Sequence, residues 1–208
     1  MVIDINNFCE FITNNQKENE KILFDIGSYI IKNFQLTSKI TNKKFFINDI
    51  EFYISSPNHQ IDKNIETHHE ITHCNQRQLE NSVYYIHKTG KSYSLIQGSG
   101  IDFCFGCAKK GIYTGILIRE LFDTQTNEIF HGPQKVLRTL LNLPKFYGEY
   151  KNDYINYASQ IEKYKIYDKK NLLQIDILKP PRNITTCLDK RVNVKSNLYY
   201  RVKANDNI

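Results

Sequence analysis

Four sets of residues in this chain have types and spacings that could carry chemistry. Glu51 and Tyr53 stand two apart at the end of Phe45-Phe46-Ile47-Asn48-Asp49-Ile50-Glu51-Phe52-Tyr53. A strand turns residues two apart to one face, so a carboxylate and an aromatic ring would sit side by side. Two readings follow. One is a solvent-facing glutamate on an amphipathic strand, as most carboxylates are; the other is a general base beside a ring that stacks on a flat substrate. Asp102 interrupts the apolar run Gly100-Ile101-Asp102-Phe103-Cys104-Phe105-Gly106, and Arg119 stands near the end of Gly115-Ile116-Leu117-Ile118-Arg119-Glu120-Leu121. A charge in a mostly buried strand needs a partner, so Arg119 is expected to pair with a buried Glu or Asp.

The third set is histidine-rich: His68, His69 and His73, with Glu70-Ile71-Thr72 between the last two. Residues four apart share a helix face, as the zinc ligands of H-E-x-x-H do. Surface histidines, or a loop histidine contacting phosphate or a base, are the other readings. The fourth is Cys104-Phe105-Gly106-Cys107, a C-x-x-C without a second pair at zinc-ribbon spacing. A structural zinc takes four ligands, so this pair reads as a strand running into a turn, and no metal or other cofactor is expected.

The elements that must position these residues can be read in order. A helix is expected over Asn14–Ile26, with Gly27 at the C-terminal cap position, and a strand over Ser28–Gln35. The polar stretch Thr37–Lys43 then turns the chain into the strand carrying Glu51, the two strands forming a hairpin. Val83-Tyr84-Tyr85-Ile86-His87 is β-prone. Lys88–Leu95 mixes basic, glycine and aromatic residues; it can be a hairpin tip, or a loop that contacts phosphates while inserting a side chain between bases. Strands are expected over 100–106 and 115–121. Gly132-Pro133 should start a helix over Gln134–Leu143, with Val136, Leu137, Leu140 and Leu141 inward. A helix around Tyr154–Tyr164 and a closing strand at Leu198–Val202 complete the reading.

Composition sets the frame. The chain has 208 residues, 40% hydrophobic and 24% charged, which is enough for one domain with a real core. No apolar run approaches the ~18 residues of a membrane span, so no membrane partner is expected. The first residues lack the basic start and apolar core of a signal peptide. An intracellular protein, in nucleus or cytoplasm, is the expectation. Five scattered cysteines fit reduced thiols better than a disulfide framework. A formal charge of +6 suits a polyanionic partner without demanding one.

In order and spacing these pieces resemble the alkyladenine (methylpurine, or 3-methyladenine) DNA glycosylase family. Family members carry Leu-Leu-Gly at the end of a helix, similar to Phe24-Asp25-Ile26-Gly27 here, and then Glu-Ala-Tyr on a strand, similar to Glu51-Phe52-Tyr53. Their Ala-His or Ser-His segment is best matched by Thr72-His73, and Leu-Leu-Arg-Ala by Leu117-Ile118-Arg119-Glu120. Gly-Pro-x-Lys-Leu resembles Gly132-Pro133-Gln134-Lys135-Val136, and the closing Arg-Phe-Tyr-Val strand resembles Leu198-Tyr199-Tyr200-Arg201-Val202. A divergent branch of the family shares further patterns, which match Gln78-Leu79-Glu80, Tyr85-Ile86-His87-Lys88-Thr89-Gly90 and Gly100–Gly106. The likeness is strongest over 20–143 and 198–203, and 145–170 reads as a polar, tyrosine-rich insertion.

The resemblance implies an α+β fold: a single domain over 1–208, with a curved, mostly antiparallel, open barrel-like sheet packed with helices. It implies a monofunctional hydrolase that acts on damaged double-stranded DNA as a monomer and flips an alkylated or deaminated purine into a pocket. Glu51 would activate the water that attacks C1′, with Arg119 holding the carboxylate or the water. Tyr53, His73, Asp102, Tyr85 and His87 would surround the base. Tyr93 or Leu95 would intercalate, and Lys88, Lys91 and Lys135 would contact the DNA backbone. The family has Asn where this chain has Asp102. That departure could alter base selectivity or add a second carboxylate for acid/base work. A non-catalytic nucleic-acid binder on the same scaffold is the alternative, and a metal hydrolase built on His68, His69 and His73 a third.

Overall fold

The computed structural model describes residues 19–55, 76–89, 92–93, 100–143, 173–184, 187–189 and 200–205. A helix, α1 (Asn19–Asn33), runs directly into β1 (Phe34–Ser38), which turns into the long β2 (Lys43–Ser55). A short 3-10 helix (Gln76–Leu79) precedes β3 (Asn81–Ile86), β4 (Lys88–Thr89), β5 (Ser92–Tyr93) and β6 (Ile101–Phe105). After a 3-10 turn (Ala108–Lys110) come β7 (Tyr113–Asp123), β8 (Ile129–His131) and α2 (Pro133–Leu141). The last described elements are β9 (Leu173–Ile177), β10 (Cys187–Asp189) and β11 (Tyr200–Ala204).

Nine of these strands form one sheet whose main path is β10-β11-β2-β7-β6-β3, while β4 and β5 pair separately. Every pairing is antiparallel. The two long strands β2 and β7 are the spine. One edge of β2 is shared end to end by β1 and β11, and the far edge of β7 by β8 and β6. The result is a curled antiparallel half-barrel with two α-helices among the described residues, an α+β architecture as the sequence led us to expect.

The spine holds two irregularities that decide which residues face the site. Ile47 lies opposite Leu121, Asp49 opposite Glu120 and Ile50 opposite Ile118, so Asn48 and Arg119 each lack an opposite number. An extra residue offsets the period-two alternation. Phe45, Ile47, Ile50 and Phe52 therefore all reach the core, where each is at most 1% exposed, while Asp49, Glu51 and Tyr53 share the other face.

The core cluster gathers Ile26, Ile30 and Ile31 from α1 with Ile116, Ile118, Phe103 and Val202 from the sheet. Val136, Leu137, Leu140 and Leu141 of α2 join it, the four positions its helical spacing marks as inward. Gly132 caps that helix at φ 90, a backbone conformation open to glycine, and donates its N–H to the Arg119 carbonyl at 2.7 Å. The start of α2 is thus tied to the irregular point of β7.

One expectation fails. The first helix does not end at Gly27 but continues to Asn33, and the strand expected over Ser28–Gln35 exists only from Phe34. A Cβ on Gly27 would meet Val202 Cγ2 at 2.6 Å and the Phe52 ring at 3.2 Å. This glycine lets helix and sheet approach closely instead of capping the helix. Ile26, Ile30 and Ile31 then recur at helical spacing against the core.

Elsewhere the strands fall within a few residues of their expected places. Cys104 ends in a buried strand and Cys107 begins a tight turn, its N–H bonded to the Ile112 carbonyl at 2.9 Å. Cys107 and Cys187 are free thiols, and Cys104 is buried. Lys88 pairs with Tyr93 and Thr89 with Ser92, so the backbone there follows the hairpin reading. The expected helix around Tyr154–Tyr164 and residues 14–18 of the first helix lie outside the described residues.

Candidate active site

Strand register brings the candidate residues together. Glu51 of β2 lies opposite Leu117 of β7, Leu117 opposite Asp102 of β6, and Asp102 opposite Tyr85 of β3. Directly opposed residues of antiparallel strands point to the same face, so Glu51, Leu117, Asp102 and Tyr85 form one row across four strands. Tyr53 and Gly115 form the next row toward the end of the spine. With strands about 4.8 Å apart, Glu51 and Asp102 arise roughly 10 Å from each other, with apolar Leu117 as the floor between them.

Each carboxylate has its own cationic or polar partner. Glu51 is 2% exposed and accepts a hydrogen bond from Arg119 Nη1 at 2.5 Å. Arg119 sits two residues beyond Leu117 on the same strand, which directs it to the Glu51 face, and its side chain keeps 28% exposure. Its Nε is buried without a hydrogen-bond partner among the described residues. Asp102 is 1% exposed; its Oδ1 lies 2.7 Å from His87 Nε2, and its Oδ2 accepts from Gln78 Nε2 at 3.2 Å. The Tyr85 and His87 rings lie 5.7 Å apart, tilted by 32°. A Cβ on Gly115 would stand 2.5 Å from Asp102 Oδ2 and 3.0 Å from Gln78 Nε2, so only glycine leaves room for that carboxylate and its amide partner.

A second ionic cluster continues the same face. Arg201 and Lys203 of β11 stand opposite Glu51 and Asp49. Arg201 Nε donates to both Asp49 oxygens at 2.8 and 3.0 Å, and its Nη2 also bonds Oδ2. These hydrogen bonds, with Glu51 and Glu120 nearby, more than offset burial and hold the guanidinium still more firmly charged. Glu120 takes Lys203 Nζ at 2.7 Å and lies 2.6 Å from His131 Nδ1. Burial works to raise the Glu120 pKa, but Lys203 and then His131 bring it below the ordinary carboxylate value.

The structure thus brings Glu51, Tyr53, Arg119, Asp102, Tyr85 and His87 to one face. Lys135 lies on the exposed side of α2, its Nζ 5.3 Å from the Phe130 ring centre and 4.0 Å from Glu128. Lys88 and Tyr93 are described as backbone only. His73, His68, His69, Lys91 and Leu95 lie outside the described residues. So does the metal alternative, although His69-Glu70-Ile71-Thr72-His73 follows the H-E-x-x-H order in full, Glu70 included. Among the described residues no group of three or more His, Cys, Asp or Glu is placed to hold a metal, and no helix is long and apolar enough to cross a membrane.

Sequence reasoning missed Asp49, Glu120, His131 and Gln78 as members of this face. The signal for the first was present: acids at Asp49 and Glu51 and bases at Arg201 and Lys203 both follow period two, so two strands carry complementary charge ladders. Gln78 carried no such signal, because the 3-10 helix that holds it over Asp102 is positioned by tertiary packing. Compared with protein families, curated proteins and solved structures, the chain matches none.

Proposed function

We propose that this chain is a monofunctional base-excision glycosylase with a methylpurine-glycosylase-like fold. It hydrolyses the N-glycosidic bond of an alkylated or deaminated purine flipped out of double-stranded DNA. The observation that carries the reading is Glu51, a carboxylate almost fully buried yet paired with a guanidinium at 2.5 Å. A buried carboxylate without structural need is costly, whereas one that activates water must stand within hydrogen-bond reach of it.

In this reading Arg119 holds the Glu51 carboxylate in place, and its buried Nε supplies a donor for a water or sugar oxygen. Glu51 takes a proton from the water as oxygen attacks C1′. Tyr53, half-buried on the same face, offers a ring on which the base stacks. Arg201 and Lys203 beside the site are each matched by a carboxylate, Asp49 and Glu120. No metal or organic cofactor enters these steps.

The test is base release from a panel of duplexes, each carrying one alkylated or deaminated purine, with abasic sites revealed by alkaline cleavage. Release from at least one lesion is expected. Salt-dependent DNA binding with no release across the panel would overturn the catalytic claim and favour a non-catalytic binder.

A further inference from the structure

The site face balances its own charges. Arg119 is matched by Glu51, Arg201 by Asp49 and Lys203 by Glu120. Salt-dependent affinity for a polyanion comes from cations that release counterions on meeting phosphate, and a cation already held by a buried carboxylate contributes little of it. The formal charge of +6 must therefore act on DNA from outside this face.

The turn between β6 and β7 meets that need beside the site. Strand β7 carries the site face from Leu117 through Gly115 to half-buried Tyr113, which lies opposite Ser55, two residues beyond Tyr53. Just before Tyr113 comes the turn, with Ala108, Lys109 and Lys110 exposed at its tip. No ion pair among the described residues reaches either lysine. The backbone beneath them is fixed. Cys107 and Ile112 exchange both N–H···O bonds, at 2.9 and 3.0 Å. The Lys110 N–H donates to the Cys107 carbonyl at 3.1 Å, and the Gly111 N–H to the Ala108 carbonyl at 3.2 Å. Gly111 closes the turn at φ 63, a conformation open to glycine, and Ile112 at its base is 1% exposed. Binding groups on an ordered backbone lose less freedom on association than groups on a mobile one.

Resting on the reading that the chain acts on duplex DNA, we infer that Lys109 and Lys110 form its phosphate-docking turn, each taking a backbone phosphate to one side of the flipped nucleotide. Ile112 stands five residues before Leu117 on extended chain, roughly 17 Å from the Glu51 row. The contact therefore falls outside the base pocket. It fixes the register of the duplex on the sheet and carries no sequence or lesion preference, as phosphate contacts do not.

The experiment measures binding of the full chain to a fluorescent undamaged duplex by anisotropy, across roughly 50 to 200 mM salt. It compares wild type, the double variant Lys109→Gln/Lys110→Gln and a charge-matched control, Lys39→Gln/Lys44→Gln. The control lysines are also exposed and stand at the β1–β2 turn, the opposite end of the spine. Each phosphate contact contributes about 0.9 to the slope of log K against log salt. Lys109→Gln/Lys110→Gln is therefore expected to lose about 1.8 from the wild-type slope, and the control less than half as much. Glutamine at these exposed positions leaves the fold intact, which thermal melts check. An unchanged slope in Lys109→Gln/Lys110→Gln overturns the inference, and so does an equal loss in both double variants, the mark of net charge alone. Absence of salt-dependent duplex binding by the wild type would count against the DNA reading itself and take this inference with it. The readout does not depend on base release, so failure of the catalytic claim and failure of the docking claim are told apart.

Discussion

Removing the Arg119 guanidinium should expose how much the buried Glu51 depends on it. Arg119→Met keeps most of the stem that packs against the sheet and deletes the 2.5 Å hydrogen bond to a carboxylate that is 2% exposed. Breaking a buried ion pair by deleting one partner costs about 3–5 kcal/mol, because the other charge stays buried and unpaired. Two features of this site reduce that figure. The Arg119 side chain is 28% exposed, so water already screens the pair. Arg201, directly opposite Glu51 in the register, remains as a second cation. A loss of about 2–3 kcal/mol is therefore expected. Glu51→Gln should cost only about 1 kcal/mol, since the amide still accepts from Arg119 and no buried charge is stranded. The double variant should recover part of the Arg119→Met loss, a coupling of about 1–2 kcal/mol. Urea unfolding at neutral pH measures all four proteins, with the transition slope unchanged if the effect lies in the native state. Arg119→Met destabilising equally in both backgrounds, or by less than about 0.5 kcal/mol, would refute the reasoning.

Three further outcomes follow from the same structure. Glu120 is lowered from 4.5 by Lys203 and His131 against its burial; Asp123 is lowered from 3.8 by Lys43 and the Gln125 and Thr126 amides, likewise against burial. The unfolded chain binds protons more readily at both positions, so stability is complete above those ordinary values and drains as pH falls through the lower native ones. Glu120→Gln and Asp123→Asn should each flatten the acid limb below about pH 5 in a pH series of thermal melts. In α1, Gly27→Ala gains about 1 kcal/mol of helix propensity but drives a Cβ to 2.6 Å from Val202 Cγ2. Overpacking of about 1–3 kcal/mol should win, giving a net loss in chemical denaturation. Finally, elemental analysis of the purified chain should find no stoichiometric zinc, and base release should survive a chelator. Bound zinc lost together with activity would instead favour the His69-Glu70-Ile71-Thr72-His73 reading.

How much was legible in the sequence depended on whether the signal was local. The start of α2 was written in Gly132-Pro133 and the spacing of Val136, Leu137, Leu140 and Leu141. Arg119 could be assigned a buried carboxylate partner because a charge in an apolar strand requires one. What could not be read was register. The row Glu51–Leu117–Asp102–Tyr85 joins four strands across 66 sequence positions, and it depends on irregularities at Asn48 and Arg119 that leave no pattern of their own. Gly27 misled for a related reason. A glycine that ends a helix and one that admits a neighbouring strand look alike until Val202, distant in sequence, is placed against it.

The central claim is that Glu51 is the general base of a glycosidic hydrolysis, and one paired measurement tests it most directly. Single-turnover base release and duplex binding would be measured for wild type and Glu51→Gln on the best lesion found in the panel. A fall in release of ~100- to 10,000-fold, with DNA affinity held within a few-fold, is the predicted result. Base release by Glu51→Gln at the wild-type rate would contradict it.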